Sequence, residues 1–228
     1  MKRDYQIDLY EGHLIIIDNW KILLLDTGSP VSLTKMEEFE FMGQTFRGTR
    51  SIGGRGIDTV SGYLRRNIDV LVGMDVLGRF TFEVDYRNKI LTVNDDPSFV
   101  YRGSVVNIGK AFMGTLTIPA VVEGKQYTFA LDTGAKISYI NHTLTVSDTP
   151  VEQRPDFNPL FGYFTTFIYP KIVEIGSKQF ECKFGNLPAM AENPLSMVGI
   201  DGVIGYDLFE AFKVVLDFGK GLLILPEE

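Results

Sequence analysis

Two Asp-Thr-Gly triplets, Asp26-Thr27-Gly28 and Asp132-Thr133-Gly134, are the residues of this 228-residue chain best placed by type and spacing to do chemistry. One such triplet after a strand means little, because Asp bonds its own downstream backbone and Gly takes positive φ, which makes a good turn. Two copies at equivalent places need a different reason. Two carboxyls brought together cannot both ionise cheaply, so one keeps a proton and the other carries the charge. Such a pair holds a general base and a general acid at once, able to activate a water and to protonate a carbonyl oxygen. Thr27 and Thr133 supply hydroxyls that can brace one loop against the other, and Gly28 and Gly134 let the backbone come close to the carboxylates. Ser29 follows the first triplet and Ala135 the second. A hydroxyl near a carboxylate favours its charged form, so Asp26 is expected to be the more ionised member.

Other chemistries find little support. Cys182 is the single cysteine, which excludes an internal disulfide and leaves no partner for a zinc or redox site. His13 and His142 lie in no recognisable nucleophile motif and read as structural. Two carboxylates without a His or further acids make a poor metal cage, so neither a metal nor a cofactor is expected.

The elements that must position the pair are written twice. Residues 68–93 and 200–225 align without a gap, 132 positions apart, with Ile68/Ile200, Asp69/Asp201, Gly73/Gly205, Asp75/Asp207, Phe80/Phe212, Asp85/Asp217 and Leu91/Leu223 matched. Phe80, Phe82 and Val84 alternate as Phe212, Val214 and Leu216 do, the period of a half-buried strand. Upstream, residues 22–33 and 128–139 match 106 positions apart, each preceded by a hairpin with a turn at Asp18-Asn19 or Glu123-Gly124. The second half therefore holds extra residues, placed near 145–171, with room for a projecting hairpin whose tip lies near Phe161, Gly162, Tyr163 and Phe164. The glycine-rich run Ser51–Gly56 is the competing site for such a hairpin, but the repeat sets it opposite Phe184–Met190. The polar stretch Asn94–Ser98 is the expected linker. It divides the chain into a lobe at 1–97 and a lobe at 98–228.

Hydrophobic residues make up 45% and charged residues 22%, with net charge −7 and pI about 5.0. Short Val, Ile, Leu, Phe and Tyr runs broken by Gly and Pro favour an all-β class. Without a basic stripe, nucleic acid is excluded as a partner. No segment approaches the roughly 20 apolar residues of a membrane span. No signal-peptide core follows Met1–Tyr5. The compartment is left open, with the cytoplasm favoured.

The paired pattern resembles the aspartic peptidases of the pepsin and retropepsin type. Leu24-Leu25-Asp26-Thr27-Gly28-Ser29 and Ala130-Leu131-Asp132-Thr133-Gly134-Ala135 match the family's loop. Leu71-Val72-Gly73 and Val203-Ile204-Gly205 match the segment packed beneath it. The resemblance implies two acid-protease-like closed barrels related by a pseudo-twofold axis, each with one short helix. It implies Asp26 and Asp132 as the catalytic pair, with Thr27, Gly28, Ser29, Thr133, Gly134 and Ala135 supporting the loops. Gly162, Tyr163 and Phe164 would belong to a flap over the substrate. The expected activity is endopeptidase cleavage of extended peptides by a single chain, held between sheet edges. The alternative is a catalytically inactive peptide-binding module with the same fold.

Overall fold

The computed structural model describes every residue except Pro97, Phe99, Phe112, Met113, Leu160, Phe161 and Glu228. The first half runs β1 (Lys2–Gln6), β2 (Asp8–Tyr10), β3 (His13–Asp18), β4 (Lys21–Leu25), β5 (Leu33–Thr34), β6 (Glu38–Phe41), β7 (Gln44–Arg47), α1 (Ile57–Leu64), β8 (Val70–Val72), α2 (Met74–Leu77), β9 (Thr81–Asp85) and β10 (Ile90–Asn94). The second runs β11 (Gly103–Asn107), β12 (Gly109–Lys110), β13 (Leu116–Val122), β14 (Lys125–Leu131), β15 (Ser138–Ile140), β16 (Glu152–Asn158), β17 (Gly162–Ile175), β18 (Lys178–Gly185), α3 (Ala189–Met197), β19 (Gly202–Ile204), α4 (Tyr206–Ala211), β20 (Val214–Asp217) and β21 (Leu222–Pro226).

The alternating runs that end each repeat build one six-stranded sheet, ordered β1-β10-β9-β20-β21-β11. At its centre β9 and β20 pair antiparallel, Phe82 with Leu216 and Val84 with Val214. Those are the same pair of equivalent positions taken in either order, so the pseudo-twofold axis passes at Glu83 and Val215 between them. Phe82, Val84, Val214 and Leu216 are all buried in a core shared by both halves. The turns that close these strands are held alike: the Asn88 amide donates to Asp85 at 2.9 Å, and the Lys220 amide to Asp217 at 3.0 Å.

Above this base each half has its own sheet. The first is β2-β3-β4-β8-β5, and the second β12-β13-β14-β19-β15-β18-β17-β16. In both, the strand that runs into Asp-Thr-Gly lies parallel to a strand of the later repeat: β4 beside β8, and β14 beside β19. The two differ in closure. β17 is 14 residues long and pairs with β13 as well as β18, bringing the second sheet round on itself. β6, its counterpart, has four residues and pairs only with β7, so the first sheet stays open. Closure expected in both halves is therefore met in one.

One short helix per half was expected; among the described residues each half has two α-helices. α2 and α4 follow Gly73 and Gly205. α1 and α3, also 132 positions apart, were not anticipated because Ser61, Gly62 and Pro194 are poor helix formers. α1 compensates with a buried stripe of Ile57, Val60 and Leu64. The run Ser51–Gly56 is a tight turn into α1: Ile52 and Arg55 bridge, with Gly53 at φ 57° and Gly54 at φ 78°. The extra length of the second half forms the long β16–β17 hairpin. Among the described residues no helix is long and apolar enough to cross a membrane.

Candidate active site

β4 and β14 deliver Asp26 and Asp132 to the junction of the two halves, where each loop locks the other. The Thr27 hydroxyl donates to the Leu131 carbonyl at 2.9 Å and accepts from the Thr133 amide at 3.0 Å. The Thr133 hydroxyl donates to the Leu25 carbonyl at 2.9 Å and accepts from the Thr27 amide at 3.1 Å. Both threonines are buried, so these four bonds are shielded from water. They fix the backbone immediately beside each carboxylate. A side chain at Gly28 would put its Cβ 2.4 Å from Asp132 Oδ2, and one at Gly134 would lie 2.7 Å from Asp26 Cγ. Glycine at both places is what lets each loop reach the other's carboxylate.

A second tier holds the loops from below. Ser32 Oγ donates to Asp75 at 2.7 Å and accepts from the Gly73 amide at 3.0 Å. Ser138 Oγ does the same with Asp207 at 2.6 Å and the Gly205 amide at 3.1 Å. The Asp26 and Asp132 amides donate to Val72 and Ile204, each at 3.0 Å. The matched Asp75/Asp207 pair of the repeat thus acquires a role the sequence reading left open.

The two carboxyls lie close enough for each to act on the other's ionisation. Burial, then the neighbouring Asp132 charge, push Asp26 well above the usual carboxylate range. Burial raises Asp132 too, against the pull of the Gly134 amide. The hydroxyl support for an ionised Asp26 expected from Ser29 is absent. The reason is geometric. The Ser29 hydroxyl donates to the Val31 carbonyl at 2.8 Å, and only its amide reaches Asp26, at 3.0 Å.

A cleft of about 450 Å³ opens over the pair. Leu24, Val60 and Leu71 line one wall, and Ala130, Leu195 and Val203 the other. The β16–β17 hairpin crosses it from the second half and rests on α1 of the first. Phe157 stacks on Tyr63 with ring centroids 5.0 Å apart, and Tyr163 meets Tyr63 edge-on at 5.0 Å. The Tyr163 hydroxyl donates to the Tyr63 carbonyl at 3.2 Å, and Arg55 donates to Pro159. Of the expected tip residues, Phe164 lines the cleft, Gly162 and Tyr163 face α1, and Phe161 lies outside the described residues. Within the hairpin, Asp156 of β16 is buried, accepts from the Tyr139 hydroxyl and lies 3.6 Å from Lys136, which is 3.8 Å from Glu11.

His13, Lys136, Tyr139 and Asp156 all line the cleft; from sequence His13 read as structural and the other three were not singled out. Only the position of Lys136, two residues after Gly134, could have suggested its place. His142 pairs with Glu192, and Cys182 is buried in β18, both in structural settings. Among the described residues no group of three or more His, Cys, Asp or Glu side chains could hold a metal ion.

The fold is that of the aspartic peptidases. The crystal structure of an aspartic proteinase from Irpex lacteus is similar over 99% of this chain and 97% of its own, with a TM-score of 0.50 and 13% identity. A retropepsin-like aspartic protease from Rickettsia conorii is similar over 57% of this chain and 96% of its own, with a TM-score of 0.37 and 21% identity. The Simian Foamy Virus (mac) protease is similar over 40% of this chain and 90% of its own, with a TM-score of 0.31 and 13% identity. At such identities the likeness is one of fold. No family model matches the sequence, and no curated protein matches it.

Proposed function

We propose that this protein is an aspartic endopeptidase that acts as a single chain of two lobes, 1–97 and 98–228. The observation that carries the reading is the reciprocal threonine lock, which sets two unequal carboxyls side by side on the floor of a cleft. Both carboxyls come from one chain, which supports activity without a second copy. An extended peptide lies in the cleft under the β16–β17 hairpin, which serves as the flap. Ionised Asp132 takes a proton from a water as its oxygen attacks the scissile carbonyl carbon, and Asp26 gives its proton to the carbonyl oxygen. The tetrahedral gem-diol collapses as the C–N bond breaks: one of its hydroxyl protons returns to Asp26, and the leaving nitrogen takes the proton held by Asp132. Closing the flap excludes bulk water and strengthens these electrostatics.

The test is cleavage of a mixed peptide library from pH 3 to 7 by the wild type, Asp26→Asn and Asp132→Asn, with and without a statine-type inhibitor. Cleavage by the wild type, blocked by the inhibitor and lost in both variants, is expected. Activity that survives either substitution ends the proposal. Peptide binding without turnover, unchanged by either substitution, would establish the inactive binding module instead.

A further inference from the structure

His13 stands at the meeting point of three elements. It opens β3 of the first half, close to the Asp26 loop, and its ring lies 5.8 Å from Phe157 of the hairpin. The backbone of Gly134 and the side chain of Lys136, from the second half, approach it from the other side. The residue is 5% exposed, yet it lines the cleft. Neither ring nitrogen has a hydrogen-bond partner among the described residues. The Gly134 backbone is near enough to pull the ring's pKa up, but without bonding geometry. Buried polar side chains almost always have partners, and one left without calls for a reason.

We infer that His13 is a substrate-contacting residue that gives the cleft a subsite for an uncharged hydrogen-bonding side chain, a carboxamide above all. This rests on the reading of the cleft as a peptide site and adds what the peptide should carry. Burial, together with the nearby Lys136 charge, lowers the His13 pKa to about 4. Above that the imidazole is neutral and presents one donor and one acceptor. A carboxamide presents the complementary acceptor and donor in a single group. The charges around the ring disfavour the alternatives. A carboxylate would face Asp156, which lines the same cleft, and an ammonium would face Lys136 itself. An aliphatic side chain would leave both nitrogens buried and unpaired, and sites built to hydrogen-bond a group discriminate sharply against analogues that lack it.

The experiment uses synthetic octapeptides with a reduced scissile amide, made in Gln and Leu pairs at each position in turn, alongside their cleavable parents. Calorimetry measures binding to the wild type and to His13→Leu. At one position Gln is expected to bind the wild type at least tenfold more tightly than Leu, with the order reversed in His13→Leu. Equal or tighter binding of Leu at every position of the wild type overturns the inference, as does a Gln preference that persists in His13→Leu. The wild-type comparison decides even if the variant does not fold. A Gln preference in binding without turnover of the parents leaves the subsite standing and overturns only the catalytic reading. Efficient turnover without a Gln preference does the opposite.

Discussion

Replacing Thr27 with Val keeps the side-chain shape and removes only its hydrogen bonding. Two bonds across the halves are lost, the 2.9 Å donation to Leu131 and the 3.0 Å acceptance from Thr133. A buried carbonyl and a buried amide are then stranded in a place closed to water. Each stranded group costs about 1–3 kcal/mol, so the variant should lose roughly 2–6 kcal/mol. That is a large share of the roughly 5–15 kcal/mol that holds a folded protein together. For a chain of this size about 1 kcal/mol moves Tm by about 2–4 °C, so Tm should fall by at least about 4 °C. Thr27→Ser keeps both bonding atoms and should lose under about 1 kcal/mol. Thr133→Val, which breaks the symmetry-related pair of bonds, should cost about as much as Thr27→Val. Urea unfolding and calorimetry read all three. The reasoning is refuted if Thr27→Val stays within about 0.5 kcal/mol of the wild type, or if Thr27→Ser loses as much as Thr27→Val, since shape rather than bonding would then matter.

The Asp26 carboxyl predicts a pH-dependent stability. Its folded pKa is raised, so between the unfolded value near 4 and the folded one the native state binds more protons and stability falls as pH rises. Asp26→Asn, which cannot ionise, should therefore gain in Tm over the wild type from pH 3 to pH 7, and a difference that is flat or of opposite sign would count against the assignment. The seat of the hairpin is open to a separate test. Tyr63→Ala removes both ring contacts, each worth about 0.5–1.5 kcal/mol, and should speed amide hydrogen exchange across 152–158 and 162–168 while leaving β9 and β20 protected. Unchanged exchange in the hairpin would show that α1 does not hold it.

What could be read from sequence was whatever recurs at fixed spacing. The repeated strand ends gave the strands of the central sheet, though not their pairing across the halves, and the paired triplets gave two carboxyls meeting between halves, because period and loop position follow from order. The length of the second half located the hairpin, since 26 extra residues have to project somewhere. Contacts made at close range left no such trace. The Ser29 hydroxyl turned to Val31, away from Asp26, through a rotamer choice that no spacing records. His13 looked like an ordinary lone histidine, and its unpaired ring nitrogens come from packing against Phe157 and the Gly134 loop, both far away in sequence. α1 was hidden because its own residues are weak helix formers, and the surface it buries belongs to other strands.

The single long hairpin also settles a matter of polarity. A cleft with unbroken twofold symmetry offers a bound chain two equivalent orientations, N-terminus toward either half, and would hold both. Among the described residues the cover comes from the second half, and it is seated on α1 of the first. The two threading directions therefore differ in every contact made beneath β16 and β17. The same asymmetry sets the carboxyls in different surroundings, Asp132 on the hairpin's own half and Asp26 on the half the hairpin rests on.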